Sequence, residues 1–326
     1  MRILVVGAGA MGTALAGLLS PAHGVLLWCR RAELAAELGQ RRENRRYLPG
    51  YRIPETVALT SGPGADLASF EGLVLAVPTQ HLRATAQALG LKNFAGSLVS
   101  TAKGLEIGTS KTPCAILEDL GCAAKNILAL SGPSLAGEMV RGLPTSLVLA
   151  GNSAALRSRL ATAFATPTLR IYHGADRIGV ELGGALKNII AIAAGMSDGL
   201  GFGMNTKSAI ITRGLAEITK YSLAQGARRE TFYGLSGIGD LVTTCCSPDS
   251  RNRSFGFAQV TDPASFKLEE HLAEGAYTVR SLVQELDAAG GPEMPLCRAV
   301  HAVVAEGREA HKVMRELLNR PLKQED

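Results

Sequence analysis

In the first half of the chain, apolar positions fall in short, nearly unbroken runs at 3–6, 25–29, 73–77, 97–101, 127–130, 146–149 and 169–172. Runs of that length without polar alternation predict strands covered on both faces, as in a parallel sheet. The alanine-rich stretches between them carry a helical period, so this part predicts a doubly wound α/β domain. Strand signals stop after His173-Gly174. Amphipathic stretches at 176–196, 206–225, 265–274, 278–289 and 296–318 follow, with Asp176 a candidate N-cap for the first. The predicted fold class is an N-terminal Rossmann-like sheet domain over 1–175 and an all-α C-terminal domain over 176–326.

A length of 326 residues agrees with two domains, each large enough to bury its own core. The composition is that of a globular protein, 46% hydrophobic and 19% charged. The net charge of +5 comes from 34 basic and 29 acidic residues without a basic tract, so nucleic acid is not an expected partner. The basic run at 41–46 (RRENRR) reads as a solvated surface in preference to a ligand-covering loop.

Apolar runs such as 189–196 fall short of the roughly 20 residues a membrane span needs, and Gly7-Ala8-Gly9 interrupts the first apolar segment before it could serve as a signal peptide. Cys29, Cys114, Cys122, Cys245, Cys246 and Cys297 show no CxxC spacing and no His/Cys cluster. That usage predicts a reduced, cytoplasmic protein without a metal site, with Cys245-Cys246 as packing and not a redox pair.

The candidate chemistry begins at ILVVGAGAMG, where Gly7, Gly9 and Gly12 stand at G-x-G-x-x-G spacing directly after a strand and before a helix. The first glycine permits a tight turn, the second lets a pyrophosphate approach the backbone, and the third lets helix pack on strand. The helix N-terminus then offers free N–H groups, those of Ala10 and Met11 included. The second strand ends in Arg30-Arg31, where an NAD site would place an acid. Guanidinium suits a 2′-phosphate, so NADP is favoured over NAD with dual use open. Val77-Pro78-Thr79, Lys103-Gly104 and Ser131-Gly132-Pro133-Ser134 each follow a strand. The carboxyl ends of the strands line the ligand crevice in such sheets, so the glycine loop, Lys103 and Ser134 should face one cleft.

In GGALKNIIAIAAG (183–195), Lys187 stands among apolar residues, with Gly183, Ala191 and Gly195 on its own helical face. A snorkelling lysine on a core helix is the ordinary reading. A lysine facing ligands, with the small residues as clearance for them, is the functional one. Asn188 points about 100° around the helix and reads as a support or cofactor contact. In GLSGIGDLVTTCCSPDSRNRSFG (234–256), Asp240 and the cluster Ser250, Arg251, Asn252, Arg253 offer donors for a phosphate or carboxylate, or form a polar surface loop.

These stretches resemble the NAD(P)-dependent glycerol-3-phosphate dehydrogenases of the bacterial soluble type. The resemblance rests on GAGAMGTALA (7–16), ENRRYLPG (43–50), AVPTQHLR (76–83), STAKGLE (100–106), LSGPSLAGE (130–138), ELGGALKNIIAIAAGMSDGLGFGMNTKSAIITRGLAE (181–217), GLSGIGDLVTTC (234–245), SRNRSFG (250–256) and EGAYTV (274–279), in the family's order. It implies interconversion of dihydroxyacetone phosphate and sn-glycerol 3-phosphate with NADP or NAD, mainly to supply glycerol 3-phosphate for phospholipid synthesis. It further implies that Lys187 is the catalytic proton donor or acceptor. Lys103, Gly132, Ser134, Asp240, Ser250, Arg251 and Asn252 would contact substrate; Lys103, Ala136, Arg251 and Glu274 would contact the cofactor. A homodimer is the assembly it implies. Ala10-Met11 replaces the family's common serine–aromatic pair and Leu135 a frequent phenylalanine, so at the first pair only backbone contacts to the cofactor are carried over.

Two other readings fit parts of the pattern. One is a ketopantoate reductase or β-hydroxyacid dehydrogenase type, which also places lysine and asparagine on a helix facing nicotinamide but lacks SRNRSFG and SGPSLAGE. The other is a non-catalytic NADP-binding sensor, against which Lys103, Lys187 and Arg251 argue.

Overall fold

The computed structural model describes residues 1–62, 66–263 and 273–319. The chain divides into two compact units, Met1–Lys103 with Lys111–Glu181, and Gly104–Ser110 with Leu182–Asp326.

The first unit is built on an eight-stranded sheet. Its strands are β1 (Arg2–Val6), β2 (Gly24–Cys29), β5 (Val57–Ser61), β6 (Gly72–Leu75), β7 (Ser97–Ser100), β8 (Ile127–Ser131), β9 (Thr145–Gly151) and β10 (Leu169–Gly174), in the order β10-β9-β8-β7-β6-β1-β2-β5. All seven apolar runs form strands there. The eighth strand, β5, and a separate hairpin of β3 (Glu43–Asn44) and β4 (Leu48–Arg52) escape the apolar pattern because their inward faces are short. Successive side chains enter opposite layers, Ile3, Val5 and Leu27 in one and Leu4, Val6 and Trp28 in the other, so both faces are covered.

The sheet is parallel except where β8 meets β9. A parallel neighbour would need the chain to travel back along β8. The short helix Ala136–Val140 instead keeps it at one end, and β9 returns antiparallel. The chain leaves β1 for β2 on one side and later enters β6 on the other, so the switch point of the sheet lies between β1 and β6.

The long helix Arg177–Gly199 follows, with Asp176 Oδ1 accepting from the Gly179 N–H at 2.9 Å, as a capping aspartate does. At 23 residues it is long and apolar enough to cross a membrane, contrary to the shorter runs read from the sequence. Its apolar window is 94% buried inside the protein, which makes it a core helix.

Around its buried part, Leu182 to Met196, the second unit packs the helices Met204–Ala224, Asp240–Cys246, Arg251–Thr261, Glu274–Ala289, Pro295–Val304 and Ala310–Leu318. The predicted helix 296–318 is therefore two, broken where Gly307 takes a left-handed φ of +71°. Of the predicted stretch 265–274, residues 265–272 lie outside the described residues, and Glu274 opens the next helix.

Candidate active site

In the sheet unit, the carboxyl ends of β8, β7, β6, β1 and β2 lie on one edge because these strands are parallel. That edge carries the glycine loop, Val77-Pro78-Thr79, Lys103 and Gly132–Ser134. Gly7 has φ +107°, and a Cβ on it would stand 2.6 Å from the Ala76 carbonyl oxygen. A Cβ on Gly12 would meet the Gly7 carbonyl oxygen at 1.9 Å. These two glycines are thus required by a turn and by a helix-on-strand contact. Gly9 has open space where a side chain would project, and it starts the helix Ala10–Leu19 without a side-chain cap. The N–H groups of that first turn, Ala10 and Met11 among them, point out of the helix end as an anion site requires.

Arg30 and Arg31 are exposed after β2, Arg31 standing as N-cap of the helix Ala32–Arg41, and neither guanidinium is ion-paired among the described residues. Beside them, burial pushes the Cys29 thiol up to about 11, which keeps it protonated and inert. Lys103 Nζ donates to the Gly132 carbonyl at 2.9 Å and to Ser134 Oγ at 3.2 Å, and Ser134 Oγ donates to the same carbonyl at 3.0 Å. Gly132 holds φ +128°, which turns its carbonyl toward the lysine. Ala136 begins the five-residue helix that follows.

In the helical unit, Lys187 is 5% exposed and Asp240 is 1% exposed. Lys187 Nζ donates to Asp240 Oδ1 at 2.5 Å and to Thr244 Oγ1 at 2.6 Å; Thr244 Oγ1 donates to the Asp240 carbonyl at 2.7 Å. Asp240 and Thr244 are one turn apart on the helix Asp240–Cys246, so both reach one ammonium. Lys187 is buried, bonds Asp240 and Thr244, and does not snorkel. Thr244 had no role in the sequence reading, although its spacing of four from Asp240 is a legible signal.

Asn188 Oδ1 accepts from Asn252 Nδ2 at 2.9 Å, and Asn252 Oδ1 accepts from the Gly275 N–H at 2.9 Å. Asn188 thus joins Asn252, and through it the Gly275 N–H, to the long helix. Ser250, Arg251 and Asn252 form a helix start, not a loop: Ser250 caps Arg251–Thr261 by accepting from the Arg253 N–H at 3.2 Å. Asn252 turns inward, and Arg253 pairs with Asp198 at 2.7 Å. Arg251 is exposed and carries no ion pair among the described residues. Glu274, half-buried, opens its helix next to Gly275.

Three expectations are corrected. The small residues flanking Lys187 make room for protein backbone and not for ligands, since a Cβ on Gly183 would stand 2.6 Å from the Ser236 carbonyl oxygen and one on Gly195 1.9 Å from that of Arg253. Gly256 reciprocates, its Cβ position lying 2.0 Å from the Ile192 carbonyl oxygen. Gly195→Ala is expected to destabilise the protein by about 1–3 kcal/mol or more, because backbone, unlike a side chain, has no rotamer to escape to. A lowered midpoint in thermal unfolding followed by circular dichroism checks this, and an unchanged midpoint contradicts it.

Cys245 packs inside, where burial pushes its thiol up to about 12, but Cys246 is exposed because adjacent helical positions face different ways. The run 41–46 is not simply solvated either: Asn44 is fully buried, and Arg42 donates to the carbonyls of Ile53, Pro54 and Val57. Among the described residues, no three His, Cys, Asp or Glu side chains gather as a metal site.

Comparison with known proteins gives a consistent result. Residues 2–157 match the family model for the NAD-dependent glycerol-3-phosphate dehydrogenase N-terminus, and residues 176–315 match that for its C-terminus. The chain is 45% identical to the glycerol-3-phosphate dehydrogenase (NAD(P)+) of Nitrosomonas eutropha over 98% of both chains. It is 44% identical to the protein of the same name from Nitrosomonas europaea, again over 98% of each. Among solved structures, that of a glycerol-3-phosphate dehydrogenase from Coxiella burnetii superposes with a TM-score of 0.90 at 34% identity, covering 98% of this chain and 99% of that one.

Proposed function

Because the chain belongs to the NAD-dependent glycerol-3-phosphate dehydrogenase family, we propose that it interconverts dihydroxyacetone phosphate and sn-glycerol 3-phosphate with NADPH or NADH. The observation that carries the reading is the buried Lys187 ammonium held between Asp240 and Thr244, in a chain that matches both halves of the family. Glycerol 3-phosphate for phospholipid synthesis is the proposed main product. A cytoplasmic location and a homodimer belong to the same proposal; six free cysteines support the first, and light scattering tests the second.

The residues present fit a dinucleotide: an uncapped helix N-terminus, open space over Gly9 and an exposed arginine pair after β2. When bound, the nicotinamide supplies or takes up the hydride at C2. The N–H groups of the 7–12 loop hold the pyrophosphate, with Ala136 and Glu274 as further cofactor contacts. Lys187 Nζ gives a proton to the C2 oxygen during reduction and takes it back during oxidation. Its positive charge also stabilises the negative charge that develops on that oxygen. Asp240 and Thr244 aim the ammonium, which spares the reaction the cost of ordering a flexible side chain.

Lys103, oriented by Gly132 and Ser134, contacts substrate and cofactor in this reading. Ser250, Arg251 and Asn252 receive the substrate phosphate. Arg251 brings an exposed guanidinium with no ion pair among the described residues, and Asn252 has a second Nδ2 proton beyond the one given to Asn188.

Dihydroxyacetone phosphate with NADPH, followed at the nicotinamide absorbance, tests the activity. Ketopantoate and short β-keto acids in the same panel separate it from related reductases, and turnover of those alone would refute the assignment. The arginine pair bears on the choice of cofactor. Arg30→Ser with Arg31→Ser is expected to lower kcat/KM for NADPH about tenfold or more while changing that for NADH little, since only the former carries a 2′-phosphate. A wild-type preference for NADH would refute the NADP reading.

A further inference from the structure

The hairpin β3–β4 ends at the glycine loop. Asn44, fully buried, uses both Nδ2 protons there: one goes to the Ala8 carbonyl at 3.0 Å and the other to Thr13 Oγ1 at 2.8 Å. Its Oδ1 accepts from the Tyr47 N–H at 3.3 Å, within the hairpin's own turn. One side chain thus joins three segments. The hairpin is itself anchored on two sides. Arg42, left-handed at φ +52°, bonds the carbonyls of Ile53, Pro54 and Val57, and the Ile53 N–H returns to the Arg42 carbonyl at 2.7 Å. Tyr51 lies against the loop's helix at Gly17, where a Cβ would stand 1.9 Å from its hydroxyl.

The contact to Ala8 has a consequence fixed by covalent geometry. The Ala8 carbonyl and the Gly9 N–H belong to one planar peptide group and point in opposite directions when it is trans, and there are no cis peptide bonds among the described residues. Drawing the carbonyl inward to Asn44 therefore turns the Gly9 N–H the other way. The Gly9 carbonyl is committed as well, accepting from the Thr13 N–H at 3.0 Å as the helix begins. Without Asn44 that peptide could rotate, and glycine at 9 would resist the rotation least of any residue.

We propose that Asn44 is a positioning residue of the dinucleotide site, holding the Ala8–Gly9 peptide in the orientation that presents the Gly9 N–H to the cofactor's pyrophosphate. The proposal rests on the reading of 7–12 as that site. It adds a device from outside the glycine motif, carried on the hairpin that follows the second strand.

The test is direct NADPH binding, by titration of nicotinamide fluorescence, to the full-length wild type, Asn44→Ala and Asn44→Asp. Asn44→Asp keeps an oxygen for the Tyr47 N–H but sets a carboxylate oxygen against the Ala8 carbonyl, so it removes the proposed function with little change in shape. Both variants should bind NADPH at least tenfold more weakly. In dihydroxyacetone phosphate reduction the loss should appear in KM for NADPH, with kcat at saturating cofactor reduced less than threefold. A folded variant of either kind that binds NADPH within twofold of wild type would overturn the proposal. So would failure of both to fold, because Asn44 would then be holding the unit together and not aiming the loop. If the wild type itself binds no NADPH or NADH, the dinucleotide reading of the loop fails first and takes this proposal with it.

Discussion

Lys187→Ala is expected to lower the turnover of dihydroxyacetone phosphate reduction by about 10²–10⁴-fold, the usual contribution of a positioned proton donor. NADPH affinity should change little, since the residues proposed to hold the pyrophosphate lie in the 7–12 loop. The variant also leaves the Asp240 carboxylate without its cation in a buried position. Losing one partner of a buried ion pair typically costs about 3–5 kcal/mol, so the single variant will unfold more easily. Lys187→Ala combined with Asp240→Ala removes both charges and restores much of that stability. Turnover should stay low in the double variant. Stopped-flow and steady-state rates on both proteins, with thermal unfolding alongside, separate chemistry from folding. Retention of most of the wild-type kcat by the double variant would refute the role of Lys187.

The second large effect is expected from Arg251→Ala, and here stability is not at issue. The side chain is exposed and carries no ion pair among the described residues, so its removal should shift stability by no more than about 0.5 kcal/mol. A charge-assisted contact to phosphate is worth about 1.5–3 kcal/mol, or roughly tenfold to 150-fold in binding. KM for dihydroxyacetone phosphate should therefore rise by about one to two orders of magnitude. Arg251→Lys should recover part of it, because a lysine keeps the charge and loses the two-pronged geometry. An unchanged KM in Arg251→Ala would exclude phosphate recognition at this position. Arg253 is the useful contrast: it is two residues away and already committed to Asp198.

Much of this was legible along the chain. Seven of the eight strands of the sheet announce themselves because a layer covered on both faces is filled mostly by apolar side chains, and the G-x-G-x-x-G spacing because each glycine answers a separate steric demand. Lys187 was legible as a lysine in the wrong company. What it bonds was not, since Asp240 and Thr244 stand 53 and 57 positions further on. The segment 250–256 left its local structure open for a related reason: serine, arginine and asparagine suit a polar loop and a helix start equally well. Only the bond from the Arg253 N–H to Ser250 Oγ distinguishes the two.

The amino-acid sequence by itself determined the two-part architecture, the glycine turn, the family and the lysine around which the chemistry is proposed, because each depends on local periodicity, local sterics or a long ordered series of motifs. Tertiary structure decided what local pattern has no means to encode. It assigned Gly183 and Gly195 to backbone crossings instead of ligand clearance, and it drew Asn44 from a charged run into the interior to grip the glycine loop. It also turned Asn252 inward while leaving Arg251 exposed. The reason is common to all of these: a side chain's role depends on which distant backbone comes within about 3 Å of it, and that distance is set by how the elements pack.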